Sequence, residues 1–246
     1  MEEIRTVLKD LLDVKIRIDE SELSLLEIEY EMYRGAEAAI YRAKYAGIDA
    51  IVKWRFPKLY MPRDLDVTFR ENRTRTEAKA LLHALRIGVR VPVPLYVDPL
   101  LGILIMEFIP GAVLRDVVDS INSEQRCKIC REIGRYAAKL HMAGLIHGDL
   151  TTSNVIIGDN KIVLIDFGLA EFSKRLEDHA IDVHIMFRSI ESTHYNHEKE
   201  MKECFIEGYR EIAGDNYTKF VLRVVEEIRR SGRYVAERRA RTEWKL

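Results

Sequence analysis

The sequence predicts an α+β protein of two lobes, with an antiparallel sheet in the N-terminal half and mostly helices in the C-terminal half. Short apolar runs separated by turns fill residues 26–53. Two later stretches, 64–87 and 122–141, have apolar residues at helical spacing, and Ile109-Pro110-Gly111 interrupts the pattern between them. We therefore expect an N-terminal extension (1–25), an N-lobe (26–108), a C-lobe (109–228) and a basic tail (229–246).

The N-terminal extension is charged and weakly helical, with leucines at positions 8, 11 and 12. We expect it to be an appendage without chemistry. After it, alternating Ile28, Tyr30 and Met32 predict a first strand, and residues 39–45 and 50–53 predict two more. The tight turns between these runs favour antiparallel pairing.

One long helix is expected over residues 64–87, because its apolar residues recur at helical spacing and Gly88 can end it. Residues 103–106 predict a further strand. In the C-terminal half, Asn122 or Ser123 can cap a second helix, and residues 155–165 predict a hairpin. Helices are expected from there to the end.

The 246 residues are 47% hydrophobic, which is enough for a real core. The net charge of -1 excludes a uniformly basic nucleic-acid coat but not a local basic patch. Because no uncharged run exceeds nine residues, we expect no membrane span. The acidic start is unlike a signal peptide, and three cysteines do not make a closed disulfide set, so we expect a cytoplasmic protein.

The strongest chemical signal is a pair of motifs, His147-Gly148-Asp149 through Asn154 and then Asp166-Phe167-Gly168. Asn154 and Asp166 offer oxygen ligands to Mg²⁺, and the hairpin between them would bring them together. Asp149 is then placed to orient or deprotonate an attacking hydroxyl or water. This pattern indicates phosphoryl transfer.

The N-terminal half supplies a cation for nucleotide phosphates. Lys53 ends an apolar run, and a glutamate on the following helix should hold it. Glu77 is the better candidate because it opens the apolar stretch of that helix, and Glu71 is the alternative.

Together these residues resemble the protein kinases over roughly residues 28–220. The resemblance implies that Lys53 binds ATP phosphates with Glu77 as its partner, that Asp149 is catalytic, and that Asn154 and Asp166 bind Mg²⁺. It further implies an ATP-binding set that includes the loop between the first two strands and a hinge whose backbone reads adenine: Gly35, Ala36, Glu37, Ala38, Glu107, Phe108 and Ile109.

Three differences from the usual protein-kinase motifs indicate which kind of kinase this sequence resembles. The loop at Gly35 has one glycine where kinases have three, and Gly148 replaces the usual arginine. No Ala-Pro-Glu follows Asp166, and only 15 residues separate it from Asp182. We therefore expect neither an activation segment nor a platform for a peptide substrate.

These features match the atypical kinase subunit of the KEOPS tRNA-modification complex. The matching segments are Arg34–Ala38, Lys53–Tyr60, Arg70–Arg73, His147–Asn154, Asp166–Leu169, Ala180–Asp182 and Ser192–His194. The resemblance implies an ATP- and Mg²⁺-binding ATPase with some serine autokinase activity. It also implies docking to an actin-like-fold threonylcarbamoyltransferase, to the other KEOPS subunits and to tRNA, in support of N6-threonylcarbamoyladenosine formation beside the anticodon, at position 37.

Other functions stay open. A free-standing phosphotransferase of the aminoglycoside or choline type also carries His-Gly-Asp, but would need a longer substrate-binding segment. A RIO-type kinase is the nearest sibling and is expected to have a different metal motif. A pseudokinase scaffold would require loss of Lys53, Asp149 or Asp166, and all three are present.

Two basic clusters are candidates for RNA or partner contact. Lys58 belongs to a cationic group between Lys53 and Glu77. A phosphate or partner contact beside the nucleotide and a solvated helix face are equal alternatives for this group. Its other members are Arg55, Arg63, Arg70, Arg73 and Arg75. From residue 229 onward, seven cations face two carboxylates, a net charge of +5, which favours RNA backbone contact. The arginines concerned are Arg229, Arg230, Arg233, Arg238, Arg239 and Arg241. For Cys127-x-x-Cys130, two core thiols are expected rather than a metal site.

Overall fold

The computed structural model describes residues 1–18, 21–158 and 161–243. For residues 18, 21 and 232–243 it describes the backbone alone. The chain forms two compact units. The first contains residues 1–86 and 90–110, and the second contains residues 87–89 and the chain from 111 onward. An antiparallel sheet dominates the first unit and helices dominate the second, which confirms the predicted α+β class.

The first unit is a five-stranded antiparallel sheet with helices before and after its first three strands. Its elements are α1 (Glu2–Val7), α2 (Lys9–Leu12), β1 (Lys15–Ile18), β2 (Ser21–Ser24), β3 (Leu26–Arg34), β4 (Ala39–Tyr45), β5 (Ile48–Trp54), α3 (Arg63–Arg86), β6 (Pro94–Asp98) and β7 (Ile103–Glu107). The strand order is β3-β4-β5-β7-β6, and β1 and β2 form a separate hairpin. The central strand β5 therefore has a neighbour on each side.

The N-terminal extension is part of the core of this unit, contrary to our expectation of an appendage. Ile4 and Leu8 are fully buried in the same cluster as Leu26, Tyr41 and Trp54. The sequence pattern showed the helical spacing of the leucines, but short segments gain most of their stability from tertiary packing, which the pattern does not reveal.

Helix α3 places a glutamate on a buried face. Its buried residues include Thr74, Glu77, Ala78, Leu81 and Ala84, which recur at helical spacing. Since the other members are apolar or small, a carboxylate in this row requires a cationic partner. The partner comes from β5, as described below.

The second unit is built on four long helices and two small sheets. Its elements are β8 (Ala112–Val113), α4 (Leu114–Val117), α5 (Ser123–Met142), β9 (Leu145–Ile146), β10 (Val155–Gly158), β11 (Lys161–Leu164), β12 (Glu171–Phe172), α6 (Leu176–Thr193), α7 (Glu198–Ala213) and α8 (Asp215–Glu243). Asn122 caps α5 through a reciprocal capping box with Gln125. The small sheets are β8-β10-β11 and β9-β12, and the predicted hairpin is β10 with β11.

The cysteines differ from our expectation. Cys127 of α5 forms a disulfide with Cys204 of α7, across 77 residues of sequence, with a Cα–Cα distance of 5.3 Å. Cys130 is buried and free, and burial raises its pKa to about 12. The prediction of two core thiols in Cys127-x-x-Cys130 is therefore wrong for Cys127, because local spacing does not reveal a partner on another helix. Because disulfides are rare in reducing compartments, the cysteines do not support the reducing location that we expected from their number.

The predicted tail is the continuation of α8, which runs unbroken from Asp215 to Glu243. Arg229 and Arg230 are among the residues whose side chains are described. The side chains of the other four predicted arginines, Arg233, Arg238, Arg239 and Arg241, lie outside the described ones. Among the described helices, none combines the length and apolar character that a membrane crossing requires.

Candidate active site

Lys53 and Glu77 form a buried ion pair in the first unit. The Nζ of Lys53, near the end of β5, lies 2.8 Å from Oε1 of Glu77 on α3. The other oxygen, Oε2, accepts a hydrogen bond from Nη2 of Arg55 at 2.5 Å. Glu71, the alternative, contacts Arg75 on the exposed side of the helix. Thus one buried carboxylate holds two cations in place.

Arg55 joins this site through Glu77, whereas the sequence indicated it only as one member of the cationic group between Lys53 and Glu77. A signal existed, because residues two apart in an extended chain face the same side, and Arg55 follows Lys53 by two. Its backbone N–H donates to the carbonyl of Gly102 at 2.9 Å, which keeps the chain extended there.

The Gly35–Ala38 loop joins β3 to β4 and is pinned to α3 by one side chain. The N–H of Gly35 donates to the carbonyl of Ala38 at 2.9 Å, which closes the loop. Glu37 is about half exposed and contacts Arg73 of α3 and, at 3.6 Å, Lys58. The predicted nucleotide loop is therefore tethered through its carboxylate.

The predicted hinge leaves one backbone donor available within the described part of the chain. The N–H of Glu107 donates to the carbonyl of Val93 at 2.9 Å, and that of Phe108 donates to the carbonyl of Asp49 at 3.0 Å. The guanidinium of Arg42 lies 3.8 Å from the centroid of the Phe108 ring. For Ile109, no backbone hydrogen bond is formed with any of the described residues, so its N–H is the donor that a ligand can take.

In the second unit, a buried aspartate holds the loop that carries Asp149. Asp182 of α6 accepts the N–H of His147 at 2.7 Å and the N–H of Gly148 at 2.9 Å. Burial by itself would raise the pKa of Asp182, but the hydrogen bond from His141 and the bonds to the loop outweigh it, so its pKa is lowered. The carboxylate is therefore ionised, which suits the two N–H donors. The sequence had marked Asp182 only as a family match, and this role was not foreseen.

His147 links this loop to the segment that contains Asp166. Its ring is fully buried, its Nε2 lies 3.1 Å from the carbonyl oxygen of Ile165, and its centroid is 4.4 Å from that of Phe167. The N–H of Asp149 donates to Nδ1 of the same ring at 3.3 Å. The two sequence motifs are thus joined through one imidazole.

Asp149 and Asn154 contact each other directly. Nδ2 of Asn154 donates to the carbonyl oxygen and to Oδ2 of Asp149, at 2.8 Å in both cases. These bonds fix the orientation of the Asp149 carboxylate. They also use the amide nitrogen of Asn154, so that Oδ1 is the atom of this amide suited to a cation.

Asp166 lies at the same end of the β10–β11 hairpin as Asn154. The N–H of Ile165 donates to the carbonyl of Asn154 at 3.0 Å, and Val155 pairs with Leu164. Asp166 has a φ of 61°, in the left-handed region, and its Oδ1 accepts the N–H of Gly168 at 3.1 Å. Strained, exposed residues of this kind occur at functional sites. Helix α6 then begins at Leu176, so little chain is available for an activation segment.

Two of the candidate RNA residues with described side chains, Lys58 and Arg229, make local contacts within their own units. Lys58 contacts Glu37, and its backbone N–H donates to Oδ1 of Asp66 at 3.1 Å. Arg229 is paired with Glu191 of α6 at 2.9 Å, so it serves the packing of α8. Arg230 lies on the same helix, one residue further on.

The comparisons with known proteins first define the class. The profile of the RIO domain matches residues 55–200, more than half of the chain, so this protein belongs to the RIO-domain family of atypical kinases. The matched range includes Phe167-Gly168-Leu169-Ala170. At this level the chain and the RIO-type alternative share one domain family, and the relatives make the finer distinction.

Within that family, the chain belongs with the Bud32 proteins. It is 41% identical to the KEOPS complex subunit Bud32 of Pyrococcus abyssi over 207 residues, which cover 82% of this chain and 94% of the relative. It is 38% identical to a probable serine/threonine-protein kinase, the BUD32 homolog of Archaeoglobus fulgidus, covering 83% and 96%. These similarities do not favour the aminoglycoside- or choline-type alternative.

Longer relatives also match. The chain is 40% identical to the probable bifunctional tRNA threonylcarbamoyladenosine biosynthesis protein of Methanothermobacter thermautotrophicus over 202 residues. The match covers 82% of this chain and 36% of that protein, so the chain spans about a third of the length of such relatives.

Proposed function

We propose that this protein is the Bud32-type subunit of a KEOPS complex. In this role it binds ATP with Mg²⁺, hydrolyses ATP, phosphorylates itself on serine to a lesser extent, and supports threonylcarbamoyladenosine formation at tRNA position 37 in the cytoplasm. The names of its relatives support the complex and the tRNA product. The hydrogen-bonded pair of Asp149 and Asn154 is the observation that carries the chemistry.

In this proposal Asp149 orients the attacking water or serine hydroxyl and accepts its proton. Its position is over-determined, because Asn154 holds its carboxylate, the His147 ring holds its N–H, and Asp182 holds the loop before it. A base held in this way needs little reorganisation when the substrate arrives.

The oxygens of Asn154 and Asp166 fit a hard cation such as Mg²⁺. One is an amide oxygen whose nitrogen is already used, and the other side chain is an exposed carboxylate at the same hairpin end. When bound, Mg²⁺ neutralises the charge that develops on the transferring phosphoryl group. We propose that these two residues hold it.

On the nucleotide side, we propose that Lys53 contacts the phosphates and that Glu77 fixes its direction. The Gly35-Ala36-Glu37-Ala38 loop covers them, and the segment Glu107-Phe108-Ile109 meets the adenine, with the N–H of Ile109 as the donor. The buried carboxylate keeps the ammonium group of Lys53 in a fixed position.

The proposed partners are an actin-like-fold threonylcarbamoyltransferase, the other KEOPS subunits and tRNA. The bifunctional relatives support a close association, because a match to this chain covers only 36% of a protein that is named as bifunctional in tRNA threonylcarbamoyladenosine biosynthesis. We propose that a separate partner contributes the other function here. The basic end of α8 is the proposed contact with the tRNA backbone.

The direct test of the chemistry is the Asp149→Ala variant in a steady-state ATP hydrolysis assay. Loss of a positioned base lowers turnover by about 100-fold or more, while the affinity for ATP and for the partner stays unchanged. Asp119→Ala is the matched control, because Asp119 is an exposed aspartate of the same unit that pairs with His197. Undiminished turnover in Asp149→Ala would exclude the role given to this residue.

A further inference from the structure

The first unit contains a small cationic pocket beside the Lys53–Glu77 pair. Its volume is about 160 Å³. The charged side chains that line it come from the loop after β3, the loop after β5 and helix α3. They are Glu37, Arg55, Lys58, Asp66, Arg70 and Arg73.

The charges of this pocket do not balance. Four cations face two carboxylates, which leaves a net charge of +2 at neutral pH. Arg55 also contacts Glu77, but that carboxylate is shared with Lys53. An excess of clustered cations in a concave site attracts anions.

The two carboxylates of the pocket are held very differently. Asp66 is buried, accepts a hydrogen bond from Nε of Arg70 at 2.8 Å and accepts the backbone N–H of Lys58 at 3.1 Å. Both carboxylate oxygens of Asp66 therefore already accept hydrogen bonds that hold the pocket wall together. Glu37 is about half exposed, lies on a loop, and contacts the tips of Arg73 and Lys58. Exposed ion pairs of this kind are weak.

We propose that this pocket binds a phosphoryl group, of inorganic phosphate or of a small phosphate monoester, in place of the Glu37 carboxylate. The side chains of Arg73 and Lys58 are its principal ligands. A phosphate has more charge and more acceptor oxygens than a carboxylate, and an arginine fork matches it in geometry. Glu37 therefore acts as an internal stand-in that the anion displaces, and its displacement releases the Gly35–Ala38 loop.

The pocket borders the proposed nucleotide site and shares Glu37 with its loop, but Lys53, Glu77 and the hinge residues are not among the residues that line it. Lys53 binds one oxygen of Glu77, whereas Arg55, which lines the pocket, binds the other. The volume of about 160 Å³ is also below the roughly 300–1,000 Å³ of pockets for drug-sized ligands. A single phosphoryl group fits this space. The inference therefore concerns a second anion beside the proposed nucleotide, and it does not require that the protein hydrolyse ATP.

The test is a calorimetric titration of the full chain with inorganic phosphate at low ionic strength. The wild-type chain is expected to bind one equivalent. Arg73→Ala is expected to weaken binding by about 10-fold or more, because a charge-assisted hydrogen bond is lost. Glu37→Gln is expected to tighten binding by about 2- to 5-fold, because the competing carboxylate is neutralised.

Arg75→Ala is the matched control. Arg75 lies on the same helix, is also paired with a glutamate, and is not part of the pocket lining. Its loss should change phosphate affinity by less than about 2-fold, since the net charge alone then changes. Equal weakening by Arg73→Ala and Arg75→Ala, or no tightening in Glu37→Gln, would overturn the proposal.

A second titration separates this site from the nucleotide site. With a non-hydrolysable ATP analogue and Mg²⁺ at saturation, phosphate should still bind to the wild-type chain. Loss of phosphate binding in the presence of the analogue, with Arg73→Ala weakening the analogue by the same factor, would assign the pocket to the nucleotide and overturn the proposal. A wild-type melting temperature in each variant establishes that the fold is intact.

Discussion

The backbone at Gly148 explains why the residue before Asp149 is a glycine. Its φ is 81°, and a Cβ built at this position would lie 2.0 Å from the carbonyl oxygen of Leu169. The arginine that protein kinases have at this place therefore has no room here. The segment after Asp166 packs where that side chain would begin.

Gly148→Ala is therefore expected to displace the loop that carries Asp149. We expect a loss of unfolding free energy of about 2–4 kcal/mol, from left-handed strain together with a backbone collision, and at least about a 10-fold loss of ATP turnover. Chemical denaturation and steady-state hydrolysis measure the two effects.

Gly214→Ala is the control for the strain alone. Gly214 has almost the same φ, 80°, but a Cβ there would meet nothing within 4 Å. Because its ψ is 162°, in a region that residues other than glycine rarely adopt, this variant should lose about 1–3 kcal/mol but keep full turnover. If the two variants behave alike, the close approach of Leu169 has no part in positioning the loop.

Single site residues could be predicted from the sequence where a suitable side chain also stood at a suitable spacing from its partners. Asn154 and Asp166 flank a hairpin, and Lys53 is followed by a helix with one glutamate on its apolar side. The role of Asp182 and the pairing of Arg55 with Glu77 were not foreseen, because both depend on tertiary contacts. A buried carboxylate that accepts two backbone N–H groups has no local signature in sequence.

Among the elements, α5 and α7 are joined by the disulfide between Cys127 and Cys204. A denatured, unreduced sample should therefore contain one free thiol, from Cys130, and three after reduction. Reduction should lower the unfolding free energy by about 2–4 kcal/mol, since the bridge closes a loop of 77 residues. Thiol titration and denaturation with and without reductant measure both quantities.

Two variants identify the bridge. Cys204→Ser should abolish the response of stability to reductant, whereas Cys130→Ser should keep it. Three free thiols in the unreduced wild-type chain would contradict the disulfide and restore the interpretation of two core thiols in α5.

The basic end of α8 is expected to contribute to tRNA binding. Truncation after Arg229 keeps the ion pair of Arg229 with Glu191 and removes the cations beyond it. The tRNA affinity should fall, and the slope of log affinity against log salt should become shallower by roughly 0.7–0.9 for each phosphate that the shortened chain no longer neutralises. Filter binding over a range of salt concentrations measures this slope.

For a matched comparison, Arg223→Ala removes a cation from the same helix, where Arg223 contacts Glu227 on an exposed face. Its salt slope should stay at the wild-type value. An unaltered salt slope after truncation would show that the end of α8 does not contact the tRNA backbone. It would support the alternative of a solvated helix face.

At the scale of elements, the periodic helices were predicted almost to the residue, since α3 spans Arg63–Arg86 and α5 follows the Asn122 cap. The helical spacing at the N-terminus was visible in the sequence but its burial was not, because short helices depend on what they pack against. The division at 229 was not a structural boundary, because charge changes there while the helical pattern continues.

At the scale of the molecule, the two units hold different parts of one proposed reaction. The first provides a lysine fixed by a buried glutamate, and the second provides an aspartate fixed by an asparagine at the end of a hairpin. The family and the relatives place this chain among the Bud32 proteins. We therefore expect this protein to work within a tRNA-modifying complex.

The most direct test of this membership is a native pull-down of the tagged chain. Both the proteins and the RNA in the eluate are identified. Our account predicts recovery of an actin-like-fold threonylcarbamoyltransferase together with tRNA, and a loss of tRNA when the chain is truncated after Arg229. A lone monomer that carries no RNA and transfers phosphate from ATP to a small metabolite would exclude a role in a tRNA-modifying complex. Such a result would still be consistent with the kinase fold.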